Sequence, residues 1–287
     1  MIAFGHIIYY GSPFQTSLPF PSLFLEEGQT QVYDHHINYG QNQNRGVSLS
    51  TDGTFLYNES KQKWAFEIKD LICFNWEEGS STLYCTLQVN ASLDLLQYWF
   101  LHTLLPIYLT IEGKYDFIHA GSVEINNQAV LFIAPSFGGK STLTNYFIQE
   151  GHSMISDDRV GISYKAENIY CTSSYPYHRP YRKMEDLGLE VKNFVTKEKK
   201  LHVIYVLESV DAKDDISFTR LQGIESFKVL QYNFDFTLPL NKARSFELIA
   251  KIAVKTPIYK LCIPWNLDRL NEVYAKICQH STQGIYS

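Results

Sequence analysis

The segment that most constrains this chain is Ala129-Val-Leu-Phe-Ile-Ala-Pro-Ser-Phe-Gly-Gly-Lys-Ser-Thr142. An apolar run of β type leads into a glycine-bearing loop, then Lys-Ser, then a helical stretch from Lys140 to Gln149. Strand, loop, Lys-Ser/Thr and helix in that order are the context a phosphate loop (Walker A) requires. Each position has a physical task. Across Ser136, Phe137, Gly138 and Gly139 the backbone N–H groups are the donors, and the two glycines let them converge on phosphate oxygens. The helix N-terminus at Lys140–Thr142 adds partial positive charge. Lys140 has the reach for β- and γ-phosphates, and the Ser141 hydroxyl is of a type that ligates Mg²⁺. Alanine at 134 replaces the usual first glycine, which a strand end at negative φ tolerates.

About twenty residues downstream, Gly151-His-Ser-Met-Ile-Ser-Asp157-Asp158-Arg159-Val160 ends a short β run in two adjacent carboxylates. Neighbouring residues at a strand end point in different directions, so the two can take two tasks. One can hold Mg²⁺ while the other accepts a hydroxyl proton. In a phosphate-loop fold the C-terminal end of a neighbouring strand faces the phosphates. Upstream, Phe117-Ile118-His119-Ala120-Gly121-Ser122 opens the hairpin before the loop. From there His119 is placed to approach the acidic pair and tune it.

Composition sets the outer bounds. With 45% apolar residues in 287, the chain can bury a sizeable core and is not disordered. A net charge of −5 gives no basic surplus for nucleic acid or an anionic membrane. Cys73, Cys85, Cys171, Cys262 and Cys278 are odd in number, widely spaced and without a C-x-x-C pair. That pattern fits free thiols in a reducing compartment rather than disulfides or zinc. The start, MIAFGHIIYYGSPF, has no signal-peptide pattern, so a cytoplasmic location is expected. Leu93–Ile111 is long enough to span a membrane, but it holds Asp94, Gln97, His102 and Pro106. A buried core helix is the expectation there.

Two parts are expected. Residues 1–90 read as a β-rich module of short alternating runs between Gly, Pro, Asn and Ser clusters, with Asn38–Arg45 as a polar loop and Asp52-Gly53 as a hairpin turn. Residues 91–287 read as an α/β domain, a mixed sheet with flanking helices. It opens on a helix at Ser92–Leu105, with Ser92 as N-cap and Pro106 as a break or kink. Trp64, Trp76, Trp99 and Trp265 are expected to be packing residues.

His119-Ala-Gly-Ser122, Ala134–Thr142 and Gly151–Val160 together resemble the HPr kinase/phosphorylase catalytic domain. The resemblance covers about residues 115–165. It implies a phosphate-loop kinase core, ATP with Mg²⁺, and an aspartate that takes the proton of a serine hydroxyl. On that basis Asp157 is the base and Asp158 assists or, with Ser141, holds the metal. A narrower subgroup, the HPr-kinase-like enzymes that tailor lasso and other modified peptides, is similar over more of the chain. The shared segments are Gly11-Ser-Pro-Phe-Gln-Thr-Ser-Leu-Pro-Phe-Pro-Ser-Leu23, Tyr175-Pro-Tyr-His-Arg179 and Pro257-Ile-Tyr-Lys-Leu261. It implies a peptide substrate whose C-terminal serine is the acceptor, and it leaves room for a homo-oligomer.

Arg179 and Arg182 lie in a basic aromatic stretch, Tyr175–Lys183. An arginine there either grips a phosphate or carboxylate in a bidentate manner, or is a solvated loop residue; the motif favours Arg179 as the substrate contact. Other readings stay open: a kinase for a small molecule such as free serine, a nucleotide-binding regulator without catalysis, and phosphorylase or nucleotidyl chemistry on the same scaffold.

Overall fold

Why the chain builds separate sheets follows from its aromatic and apolar spacing. The computed structural model describes residues 1–10, 22–42, 45–56, 60–179 and 183–283. Most of the Gly11–Leu23 segment, and Arg182, therefore lie outside the described residues. The chain divides into two compact units. The first comprises Met1–Lys114, Arg182–Leu187 and Phe236–Lys242; the second comprises Tyr115–Tyr181, Gly188–Asp235 and Ala243–Ser287.

The first unit is built on an eight-stranded sheet among the described residues. Along Lys63–Ile68 and Ile72–Glu77, alternate residues put Trp64 opposite Trp76 and Phe66 opposite Phe74. These rings are almost wholly buried and meet the helical segment that follows: Phe74 lies 6.2 Å from Phe100, and Trp76 6.0 Å from Tyr108. That segment is the expected core helix. Ser92 caps it, its hydroxyl accepting from the Leu95 N–H at 3.2 Å. Of the two expectations at Pro106, a break or a kink, the helix does not take the break. Leu93–Trp99 passes through a π-register turn, Phe100–Leu104, into Leu105–Ile111. In that turn the Leu105 N–H donates to Phe100 C=O, five residues back, just before a residue that has no N–H to give. Among the described residues no helix is long and apolar enough to cross a membrane. Within the expected polar loop 38–45, residues 38–42 are strand instead, and 43–44 lie outside the described residues. His35–Asn42 is the edge strand of this sheet, paired antiparallel with Arg45–Thr51.

The second unit is a mixed sheet between helices. Gln128–Ile133 reads Gln-Ala-Val-Leu-Phe-Ile because both of its faces are covered. Val130 and Phe132 pack with Leu143 and Phe147 of the helix Lys140–Gln149 and with Val273 and Ile277 of the helix Leu270–Gln283. Ala129, Leu131 and Ile133 pack the other way, with Leu230 of Ile224–Asn233 and Leu248 and Ile252 of Lys242–Lys255. Gln128–Ile133 runs parallel to Lys199–Val210, which runs parallel to Ile258–Pro264. All three strands thus bring their C-terminal ends to one edge, the edge from which the glycine loop departs.

One joint organises the rest. The sequence predicts a single strand over Phe117–Glu124, but the chain changes partners at Ala120. Asp116–His119 pairs with Arg159–Lys165, while Gly121–Ile125 pairs with Gln128–Ile133 and Met154–Ser156. Gly121 lies directly under the loop helix. A Cβ there would stand 2.3 Å from Thr144 Oγ1 and 3.6 Å from the Lys140 carbonyl oxygen. Thr144 Oγ1 is buried and has no hydrogen-bond partner among the described residues. Gly121→Ala should therefore destabilise the protein by about 1–3 kcal/mol through overpacking. Thr144→Ala alone should cost little, and the double variant should recover most of the loss. Additive melting shifts in the three proteins would show that these residues do not press on each other.

Candidate functional site

The loop and the acidic turn are each shaped by local bonds. At the end of Gln128–Ile133, the Gly138 N–H donates to the Pro135 carbonyl at 3.0 Å, closing a turn. The third position of that turn is Phe137, at φ 63°, where glycine or asparagine is usual. Gly138 has to be glycine, since a Cβ would lie 2.8 Å from Ala134 Cβ and 3.1 Å from the Pro135 oxygen. Gly139, at φ 86°, caps the helix in the left-handed region. Ser136 and Thr142 are exposed and Ser141 is half-buried. Lys140 is buried, and its Nζ donates to the Ala134 carbonyl at 2.5 Å and the Pro135 carbonyl at 3.4 Å. The ammonium thus sits on the mouth of the loop, bonded to the loop itself.

The acidic turn is fastened from three sides. Ser156 Oγ donates to the Arg159 carbonyl at 2.6 Å and accepts from the Asp158 N–H at 3.3 Å. The Ala120 N–H donates to the Asp158 carbonyl at 3.0 Å. The two carboxylates then diverge. Asp158 faces His119 (Oδ1 to Nδ1, 3.3 Å) and Arg159 (Oδ2 to Nη1, 3.4 Å). Arg159 also bonds Asp235 at 3.0 Å. Burial, helped by the charges of Lys140 and Arg159, pushes the His119 imidazole below its ordinary value, against the pull of Asp158 and Asp235. His119 therefore meets Asp158 as a neutral ring at pH 7.

Asp157 turns inward and is only 6% exposed. Its Oδ2 accepts the Arg179 backbone N–H at 2.8 Å. His178 Nδ1 stands 3.1 Å from the same oxygen, off the hydrogen-bond direction. Asp157 Oδ1 is buried and accepts no hydrogen bond from the described residues. One carboxylate oxygen is thus anchored and the other left over. Arg179 reaches Asp157 through its main chain, whereas the sequence pattern points to its guanidinium.

Sequence reasoning passes over His178, which is buried and adjoins Asp157. It lies in Tyr175-Pro-Tyr-His-Arg179, but nothing in that string says that the ring turns in. Gly188 gives no sequence signal either. Tyr177–His178 pairs with Leu189–Glu190, and Gly188 (φ 92°) leads into the return strand. A Cβ there would lie 2.2 Å from the His178 carbonyl oxygen. Trp265 differs from expectation: Trp64, Trp76 and Trp99 are buried, but Trp265 is largely exposed. All five cysteines are free, with Cys73 pushed up to about 11 by burial.

Gly188→Ala should lower stability by about 1–3 kcal/mol, the usual strain of such a backbone conformation. It should also loosen the Arg179 clasp on Asp157. The check is a melting curve: a fall of several degrees is expected, and an unchanged midpoint would show slack in this hairpin.

No protein-family model matches the chain. A solved structure, the Hpr(Ser) kinase/phosphatase from Coxiella burnetii, aligns with a TM-score of 0.38 and 14% identity over 58% of this chain and 90% of that one. The HPr kinase/phosphorylase of Prosthecochloris aestuarii is 24% identical over 156 residues, 52% of this chain and 45% of that protein. The HPr kinase/phosphorylase of Lactobacillus acidophilus is 26% identical over 165 residues, 54% of this chain and 50% of that protein. The chain spans about half the length of the curated relatives it matches. Over those residues this chain is similar to the HPr kinase/phosphorylases.

Proposed function

We propose that this chain is an ATP-dependent kinase that transfers the γ-phosphate to a serine hydroxyl of a peptide. The observation that carries the reading is Asp157. It is a buried carboxylate with one oxygen clasped by the Arg179 N–H and the other without a hydrogen-bond partner among the described residues. A general base must come within hydrogen-bond reach of the hydroxyl proton, so the reading requires the buried Oδ1 to be uncovered when the peptide binds.

Each neighbour has a part in the proposed reaction. The loop amides of 136–139 and the start of the helix Lys140–Gln149 would hold the phosphates. Lys140 would exchange its bonds to the Ala134 and Pro135 carbonyls for phosphate oxygens. The serine oxygen attacks in line, its bond to the γ-phosphorus forms, and the bond from phosphorus to the β,γ-bridging oxygen breaks. The hydroxyl proton passes to Asp157 Oδ1. Mg²⁺ takes one or two carboxylates plus hydroxyl, water and phosphate oxygens. The Ser141 hydroxyl and Asp158, half-buried beside a neutral His119, fit that donor set. When bound, the ion would neutralise charge on the phosphates. His119 and Arg159 would hold Asp158 in place, and His178 would hold Asp157.

The acceptor we favour is the C-terminal serine of a small precursor peptide of lasso type, which rests on the Tyr175–Arg179 and Pro257–Leu261 segments. The test is mass spectrometry of serine-ending peptides incubated with the protein, ATP and Mg²⁺. A gain of one phosphate is expected. Asp157→Asn should cut the rate about 10²–10⁴-fold while ATP still binds. Lys140→Ala should weaken nucleotide binding or transfer. Turnover unchanged in Asp157→Asn removes that residue from the mechanism. ATP binding with no peptide product, but with phosphorylated free serine, moves the reading to a small-molecule kinase.

A further inference from the structure

Trp265 is an apolar ring that the core does not use. It follows Ile258–Pro264 at the sheet edge from which the glycine loop also departs. Its backbone N–H donates to the Val210 carbonyl at 3.0 Å, which ties it to the end of the central strand Lys199–Val210. Its indole leans over the loop: a Cβ built on Gly139 would lie 3.8 Å from Trp265 Cζ3. Yet 60% of the residue is exposed, while the other three tryptophans are at most 3% exposed. Phe137, on the loop itself, is 82% exposed and held at φ 63°. Strained residues and solvent-exposed aromatic rings beside an anion-binding loop are features that persist where a ligand uses them.

We propose that Trp265 is the stacking platform for the base of the nucleotide whose phosphates the loop holds. The inference rests on the phosphate-loop reading of residues 134–142 and extends it to the other end of the ligand. The occupant follows from adjacency. A π surface that borders the open side of the capping glycine of an anion cradle matches a molecule with a flat ring at one end and a phosphate chain at the other. Base–aromatic stacking needs a free ring face and little hydrogen-bond readout. Trp265 would then contribute affinity for any nucleotide and none for the phosphate chain alone.

The experiment is calorimetric titration of the full chain with Mg-ATP and, separately, with inorganic tripolyphosphate and Mg²⁺. The proteins are wild type, Trp265→Ala and Trp265→Phe. Trp265→Ala should bind ATP about tenfold more weakly, the lower part of the range for one stacked base, and tripolyphosphate as wild type does. Trp265→Phe should restore most of the ATP affinity. In the wild type, ATP should quench tryptophan emission and tripolyphosphate should not. Equal ATP affinity in wild type and Trp265→Ala overturns the proposal. So does an equal loss of both ligands, which would mean that the indole only shapes the loop. Wild type that binds neither probe defeats the phosphate-loop reading, and this inference with it.

Discussion

The close packing of the loop helix on Gly121 is the constraint from which the site follows. Because no side chain separates them, Thr144 and the Lys140 carbonyl come down onto the strand. One residue earlier the Ala120 N–H holds the Asp158 carbonyl, and one residue later Ser122 pairs with Ser156. Three consecutive residues thus bind the helix that follows the loop and the turn that carries both carboxylates. The strand between helix and turn sets their relation. A bulkier residue at 121 would alter the spacing between the loop helix and the acidic turn without touching any charged group.

Electrostatics then separates two chemically identical neighbours. Asp158 stands against His119 and Arg159 and is partly open to water. Asp157 is buried against main chain and a buried imidazole. Arg159 is itself pulled two ways: burial lowers its basicity, while Asp158, Asp235 and Tyr175 together raise it by more. Its charge is therefore committed to Asp158 and Asp235, which leaves the environment of Asp157 to be set from the other side, by Tyr177–Arg179. The two adjacent carboxylates thus have two separate sets of neighbours.

What can be read from the chain alone is whatever local pattern decides. The helix Lys140–Gln149 and the strand before it match the expectation almost residue for residue, because apolar run, glycine loop and helix start are consecutive. Pattern fails where pairing or register decides. The stretch 38–45 is rich in Asn and Gln, yet an edge strand needs only one paired side, and Arg45–Thr51 supplies it. Pro106 reads as a break or a kink, and the π turn that decides between them leaves no mark in composition. His178 and Gly188 take their meaning from a short hairpin closed against Asp157, and Trp265 from a neighbouring strand end. Each is a contact between segments far apart in sequence.

The loop's two departures from the usual pattern are also explained by position. Alanine at 134 removes a customary glycine, but its methyl group fills the space a Cβ at 138 would need. The requirement for a bare backbone has moved along the loop rather than disappeared, and Gly138 now meets it. Phe137 takes the turn position where positive φ favours glycine, so its backbone is strained while its ring stays in solvent. A loop that had merely lost its ligand would be free to relax that strain by ordinary substitution. Here the strained aromatic, the glycine at φ 86° two residues on and the indole over that glycine share one corner of the unit. Their position at the C-terminal edge of three parallel strands is where an open α/β sheet binds ligands.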